Sequence, residues 1–107
     1  MISFQEWQKT ELKVAKIAAV EDIEGKDKLY KIQIDLGAEK RQIVAGLKEF
    51  YSKEELQGKN IIVVANLQPA NIAGIESQAM LLAAKSPDGK YKVVEIDAAV
   101  QPGTKVE

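Results

Sequence analysis

The sequence contains no cysteine and no histidine, and these absences remove much of the chemistry on which small enzymes rely. Without cysteine there is no disulfide framework and no thiolate metal site. Without histidine the chain lacks the commonest metal ligand and the usual acid–base group at neutral pH. No apolar run is long enough for a membrane helix, and the first ten residues lack the apolar core of a signal peptide. We therefore predict a non-catalytic cytoplasmic protein without cofactor, metal or membrane contact.

Excess positive charge is also missing, since 15 lysine and arginine residues face 16 acidic residues and the net charge is −1. A nucleic-acid-binding surface must then come from arrangement, not from the overall charge. The acidic stretch 22–27 lacks the full calcium-loop pattern and is interpreted as solvated surface. Ordinary solubilising lysines are one interpretation of the basic residues, and a phosphate-binding surface is the other. The candidates on or beside the first three predicted strands are Lys13, Lys16, Lys28, Lys31, Lys40 and Arg41, the only arginine.

The 107 residues are expected to form one domain. Serine followed three residues later by glutamate predicts short helices over residues 3–9 and from Ser52 to Gly58. Alternation and turn residues predict a loop over 21–27, a turn at 102–103 and a sixth short strand over 91–96. The five main strands are predicted over residues 11–20, 30–36, 41–45, 60–66 and 78–84.

Three strands, a helix and two more strands is the order of the five-stranded oligonucleotide-binding (OB) barrel. The predicted fold is therefore all-β, with a short N-terminal helix, a helix between strands 3 and 4 and a C-terminal strand extension. A small sandwich is the alternative, but it explains the lone helix less well. The predicted single core comprises Val14, Ile32, Ile34, Val44, Val63 and Leu82.

Aromatic residues are few, and their positions limit how the chain would contact RNA. Tyr30 has the inward phase of its strand, so strands 2 and 3 offer no exposed ring for base stacking. Phe4 and Trp7 lie three residues apart, on one face of the first helix. We expect this helix to plug one end of the barrel, with base stacking by Trp7 as the alternative.

Residues 66–84 contain a single charge, Glu76, and are rich in apolar side chains. Pro69 ends a strand ladder, and Gly74 permits a backbone that other residues resist. A small barrel has little room for all of these apolar residues, although closing the barrel is the alternative role. The pattern predicts a homodimer in which both copies use the same patch, made of Leu67, Ile72, Ile75 and Met80.

Several separated blocks, in order, resemble the tRNA-binding domain appended to methionyl-tRNA synthetases and also found as a free-standing dimer. They are TELKVAKI, GKDKLY, RQIVAGL, YSKEEL and NLQPANIAGIESQAMLLAA, and the likeness runs from about Phe4 to Val106. The resemblance implies an OB barrel, a homodimer, recognition of tRNA by shape, and methionyl-tRNA synthetase as a candidate partner. It places Lys13, Lys28, Arg41, Asn66, Ser77 and Met80 on the tRNA-contacting face. Lys16 and Lys31, which belong to the basic residues of the first strands, are added to this candidate tRNA-binding set.

The chain departs from this family in the loop after Pro69. Where the family carries basic residues, this chain has Gln68, Ala70, Asn71 and Ala73. Each lost phosphate contact lowers RNA affinity and flattens its salt dependence. We therefore expect weak to moderate tRNA binding. The alternative is a protein-interaction, dimerisation or chaperone-like module with little RNA affinity.

Overall fold

The computed structural model describes all 107 residues and contains two short helices, α1 (Phe4–Trp7) and α2 (Lys53–Leu56). Both predicted capping boxes are confirmed. The amide of Glu55 donates to Ser52 Oγ at 3.1 Å, and Glu55 Oε1 accepts from the Ser52 amide at 2.8 Å. The hydrogen bond from the Ser52 backbone amide, followed by that from the Ser52 side chain, lowers the pKa of the Glu55 carboxyl, because both favour its charged form. No helix is long and apolar enough to cross a membrane.

Most of the chain is β-structure. The strands are β1 (Leu12–Ile23), β2 (Lys26–Asp35), β3 (Lys40–Ala45), β4 (Asn60–Val64), β5 (Ala70–Ile72), β6 (Ile75–Ser77), β7 (Met80–Leu81), β8 (Ala83–Lys85), β9 (Tyr91–Val93) and β10 (Lys105–Val106).

The fold is organised around one antiparallel sheet in the order β3-β2-β1-β4-β7, with β10 added to the start of β1. No ladder joins β3 to β7. Between these two edges, the backbone amide of Gln78 donates to the Gln42 backbone carbonyl at 2.9 Å, and the backbone amide of Gln42 donates to Gln78 Oε1 at 3.0 Å.

The predicted loop over residues 21–27 is wrong, because β1 and β2 continue through it as a tight hairpin. Gly25 has φ +76° in the turn, a conformation that glycine adopts without strain. The first strand is irregular, since its register against β2 shifts between Ile17 and Ala19. The shift falls at Ala18, which is exposed.

The prediction of one core is wrong, because the buried side chains form two clusters. The larger includes Ile32, Ile34 and Val63 as predicted. Val14 belongs instead to a smaller cluster on the other face, against which Leu82 packs. Val44 is buried outside both clusters, because its neighbour Ile43 takes the inward position. The smaller cluster consists of Leu12, Val14, Ile62 and Val64, with Ile96, Val100 and Val106 packed against it.

Every residue of β4 is buried, and four of its five residues are apolar, as is typical of a strand covered on both faces. Ile61 and Val63 contribute to the larger cluster, whereas Ile62 and Val64 contribute to the smaller. This division follows from the alternation of side chains along a strand. The second face of the strand is covered by the C-terminal residues after β9. The chain beyond the barrel is therefore part of the packed fold.

Residues 66–84 contain a hairpin that the sequence did not predict, formed by β5 and β6. Its two-residue turn has positive φ at both Ala73 and Gly74, as in the tight turns that match strand twist. The predicted fifth strand, over 78–84, is divided into β7 and β8. The predicted sixth strand, over 91–96, is shorter in the structure, because its pairing with β8 ends at Val93. Beyond Val93, an isolated bridge joins Glu95 to Ile61.

The prediction that α1 plugs the barrel is wrong. None of its residues is buried: Phe4 is 71% exposed and Trp7 is 39% exposed. The interior is filled by the larger cluster, which contains no residue of α1. The helix is held from its C-terminal side by Asn66, whose Nδ2 donates to the Lys9 carbonyl at 2.6 Å. Its aromatic side chains therefore remain on the surface.

The C-terminal turn packs backbone to backbone against the turn between β2 and β3. Gly37 and Gly103 have φ values of +85° and +89°. A Cβ added at Gly37 would lie 2.7 Å from the Pro102 carbonyl oxygen. A Cβ added at Gly103 would overlap the Leu36 carbonyl oxygen. The two glycines therefore permit an approach that larger residues would block.

Candidate nucleic-acid interface

Two predicted lysines lie on the outer face of the β1–β2 hairpin, each opposite a carboxylate. Lys16 pairs in register with Asp35, and Lys31 pairs with Glu21. The ion pairs of the structure do not involve Lys16, Lys28 or Lys31. Their ammonium groups are therefore available to phosphate, but neighbouring negative charge reduces the local potential.

Lys13 and Arg41 are placed differently from these lysines. Lys13 has the same strand phase as the buried Ala15 and Ile17, and Arg41 is in register with the fully buried Ile34. Both residues therefore follow the phase of the barrel interior. The structure divides the predicted basic residues between the inner and outer faces, instead of collecting them in one strip.

The Arg41 guanidinium is engaged by three acceptors of the protein. Nη1 donates to the Ala65 carbonyl at 2.6 Å and to the Gln78 carbonyl at 3.2 Å, while Nη2 donates to Glu39 Oε1 at 2.7 Å. The two carbonyls flank the segment that contains β5 and β6. Arg41 therefore holds both ends of this segment against β3, and a phosphate would compete with Glu39 for Nη2.

Asn66 and Ser77, which the family resemblance places near tRNA, have their polar atoms occupied within the chain. Asn66 Oδ1 accepts from the Glu11 amide at 2.9 Å, and its Nδ2 is the group that holds the end of α1. Ser77 is buried, and its Oγ accepts from the Val44 amide at 3.0 Å and donates to the Ala79 carbonyl at 3.2 Å. Met80, by contrast, is 51% exposed.

A carboxylate with two lysines is one feature that sequence reasoning missed. Asp22 Oδ1 lies 3.0 Å from Lys48 Nζ, and Asp22 Oδ2 lies 2.6 Å from Lys53 Nζ. Hydrogen bonds from Lys53 and Lys48 lower the pKa of Asp22, and the same carboxylate raises the pKa of Lys53. Nothing in the local pattern indicates these contacts, because the lysines lie far along the chain. Asp22 is the only acidic residue of the stretch 22–27 that forms an ion pair, and Lys48 and Lys53 are its partners.

An apolar groove of about 630 Å³ lies beside β7, and twelve of its fifteen lining residues are hydrophobic. Leu67, Ile72 and Met80, three of the four predicted interface residues, line it. Ile75 is half-buried opposite Ile72 in the β5–β6 hairpin. Leu67 is 46% exposed, so the patch presents substantial apolar surface to the outside.

Comparison with known proteins gives consistent results. Residues 12–105 match the family model described as a putative tRNA binding domain. The chain is 50% identical over 105 residues to the methionine–tRNA ligase of Thermotoga maritima, and 48% identical over 106 residues to that of Methanococcus vannielii. These matches cover 98% and 99% of this chain but only 16% of each ligase.

Two solved structures resemble the whole chain. A MetRS-related protein from Pyrococcus horikoshii has a TM-score of 0.95 and 36% identity, with 100% of this chain and 98% of that chain covered. The CsaA chaperone protein from Picrophilus torridus has a TM-score of 0.90 and 32% identity, with both chains fully covered. The predicted barrel-type fold and the predicted family are thereby confirmed. The chain belongs to the tRNA-binding domain family, related both to a segment of methionyl-tRNA synthetase and to CsaA proteins.

Proposed function

We propose that this chain is a non-catalytic homodimeric module that holds folded tRNA by its shape. It would serve methionyl-tRNA synthetase in the cytoplasm, as an appended domain or as a separate subunit. The observation that carries this proposal is the family match over residues 12–105, shared with methionine–tRNA ligases. The geometry of the basic residues supports it and suggests how the contact is made.

Recognition by phosphate contact follows from the side chains on the outer face of β1–β3. The ring of Tyr30 is buried, and its hydroxyl donates to the Tyr51 carbonyl at 2.8 Å, so it offers no stacking surface there. Lys16 and Lys31 supply charge without base-reading geometry, and Lys28 adds another exposed ammonium. Such contacts position a folded RNA but do not read its sequence. The opposing Asp35 and Glu21 keep the affinity low.

Restoring positive charge beside Pro69 should strengthen tRNA binding. Gln68 and Ala70 are exposed at the apolar groove and their side chains make no hydrogen bond, so Gln68→Lys with Ala70→Arg adds two cations without breaking a polar contact within the chain, and light scattering checks that the mass is unchanged. Two new phosphate contacts should steepen the salt slope by roughly 1.8 and tighten binding by about tenfold at low salt. Filter-binding titrations against intact tRNA over a range of salt concentrations measure both quantities.

The matched control places the same charges in the C-terminal turn, as Ala98→Arg with Gln101→Lys, both at exposed positions. An equal gain in the control would show that net charge alone is responsible. An unstructured RNA of the same length tests recognition by shape, and equal affinity for the two RNAs would contradict the proposal. Arg41 is less suitable for substitution, because replacing it would also release the Ala65 and Gln78 carbonyls.

Dimerisation is supported by two apolar surfaces on neighbouring parts of the chain. One is the groove with Leu67 and Met80 at its surface. The other is α1, whose Phe4 and Trp7 project from the barrel. Asn66 joins them, because it binds the end of α1 and directly precedes Leu67. A second copy could therefore cover both surfaces in one symmetric contact.

Ile72→Asp should convert the dimer into a monomer, because it would bury an unpaired carboxylate in an apolar contact. Light scattering at micromolar concentration reads the mass directly. Val94→Asp is the control, since it adds the same charge at an exposed apolar position that does not line the groove. A parent protein with the mass of one chain across this range, or a monomeric Val94→Asp variant, would contradict the assigned interface.

A protein-interaction role is the second candidate function, and the apolar groove favours it. Gln68 and Ala70 line the groove, and both are uncharged. The family resemblance had led us to expect basic residues at these two positions. If neither tRNA nor the unstructured RNA binds at low salt, and the Gln68→Lys, Ala70→Arg variant gains nothing, this role replaces RNA binding. Denatured client proteins kept soluble by stoichiometric amounts of the chain would then be the positive result.

A further inference from the structure

The β8–β9 hairpin carries an excess of positive charge in a chain that is acidic overall. Its lysines are Lys85, Lys90 and Lys92, and none of them forms an ion pair. The one carboxylate of the turn is Asp88, whose Oδ1 accepts from the Lys90 amide at 3.0 Å. The hairpin therefore presents three ammonium groups that form no ion pair, although the charge of Lys92 also acts on the Glu55 carboxylate.

The same hairpin exposes an aromatic ring among these lysines. Tyr91 is 37% exposed, and its ring centroid lies 5.6 Å from that of Phe50, with the planes tilted by 59°. Lys85 Nζ lies 5.8 Å from the centroid of the Tyr91 ring. An exposed ring beside free ammonium groups is the combination by which proteins hold single-stranded nucleic acid, since the base stacks and the phosphate is neutralised.

Tyr51 fixes this surface to the barrel. Its hydroxyl accepts from the Val93 amide at 3.1 Å, and its carbonyl accepts from the Tyr30 hydroxyl at 2.8 Å. Lys92 Nζ lies 5.9 Å from the centroid of the Tyr51 ring. Because Tyr51 links β9 to the buried Tyr30, the hairpin is held in place before any ligand binds. Binding to such a surface loses less conformational entropy than binding to a loose loop.

We propose that the patch formed by Phe50, Lys85 and Tyr91 binds an unpaired end of RNA. Lys85 lies directly opposite Tyr91 in the β8–β9 ladder, so the two side chains share one face of the hairpin. A base would stack on Tyr91, and Lys85 would contact the adjoining phosphate. This inference rests on the proposed RNA-binding function and adds a single-stranded element to it. Tyr91 also lines the apolar groove, whereas Phe50 and Lys85 do not. Phe50 and Lys85 therefore lie outside the groove that the proposed dimer contact uses.

The test compares two RNA ligands, one a folded tRNA whose end is fully paired and the other the same tRNA with a four-nucleotide 3′ overhang. The proposed function requires the protein to bind both, and the inference requires the overhang to tighten binding. Tyr91→Ala should remove that increment, a loss of roughly 5- to 150-fold from one base–aromatic stack, and leave binding of the fully paired tRNA unaffected. Tyr91→Phe keeps the ring and should retain binding to within about twofold. Fluorescence anisotropy of labelled RNA gives the dissociation constants.

A charge test complements the ring test. Lys85→Gln should reduce the salt slope for the overhang ligand by roughly 0.7, whereas Lys92→Gln removes the same charge from the other face of the hairpin and should not affect the overhang increment. Light scattering and thermal melting confirm mass and folding for each variant.

If the overhang adds nothing, or Tyr91→Ala keeps the increment, the inference is wrong while RNA binding stands. If Tyr91→Ala changes the mass, the ring is a dimer contact and the inference is also wrong. Binding of neither ligand would overturn the proposed function as well.

Discussion

Ile34→Ala is expected to lower the free energy of unfolding by about 2–5 kcal/mol, the usual range for truncating a buried isoleucine. Ile34 is fully buried within the larger cluster, and it lies in register with Ile17 on one side and with Arg41 on the other. The substitution would leave a cavity at the centre of the sheet. Because a cavity there has neighbours from three strands, little collapse is possible, and the loss should lie toward the upper part of the range. Urea denaturation followed by circular dichroism measures it.

Val94→Ala is the matched comparison, since it also shortens a branched apolar side chain but at a position that is 39% exposed. It should change the free energy of unfolding by less than about 1 kcal/mol. Equal midpoints for Ile34→Ala and the parent protein would mean that Ile34 does not point into the barrel. The assigned phase of β2 would then be wrong.

Gly103→Ala is expected to destabilise the protein by about 2–5 kcal/mol, for two reasons that add. The residue has φ +89°, a conformation that costs an L-residue roughly 1–2 kcal/mol. The new methyl group would also overlap the Leu36 carbonyl oxygen, and relieving such overpacking typically costs about 1–3 kcal/mol. Because that oxygen belongs to the backbone, it cannot rotate away. The midpoint of thermal unfolding reports the loss.

Gly25→Ala separates these two contributions. Gly25 has a similar φ of +76°, but a Cβ added there would meet nothing within 4 Å. The alanine variant should therefore show the conformational cost alone. If both variants lose the same stability, the close approach of the two turns contributes nothing, and the explanation given for Gly103 fails.

The sequence predicted those parts of the fold that depend on local pattern. The capping boxes at Ser3 and Ser52 are local, and the buried phase of Ile32 and Ile34 follows from alternation along one strand. The assignment of Val14 was wrong because β1 contributes to both clusters: Leu12 and Val14 to the smaller, Ala15 and Ile17 to the larger. Strand alternation cannot tell which face a second layer will cover.

The candidate site was less predictable, because its properties depend on contacts between distant residues. The lysine positions could be listed from the sequence, but the carboxylates opposite Lys16 and Lys31 appear only once the register is known. Two of the three acceptors of Arg41 are backbone carbonyls, which the side-chain sequence does not reveal. The exposed Tyr91 stands in a short strand outside the five that the barrel pattern emphasises.

The double burial of β4 has a consequence for local opening of the fold. Since its side chains alternate between the two clusters, neither cluster can separate from the sheet without exposing this strand. Native-state hydrogen exchange should therefore find the amides of Ile61, Ile62 and Val63 among the slowest, opening only with global unfolding. The β5–β6 and β8–β9 hairpins are two-stranded units outside the main sheet, and their amides should exchange through smaller, cheaper openings. The two hairpins would thus open locally, whereas the barrel opens as one piece.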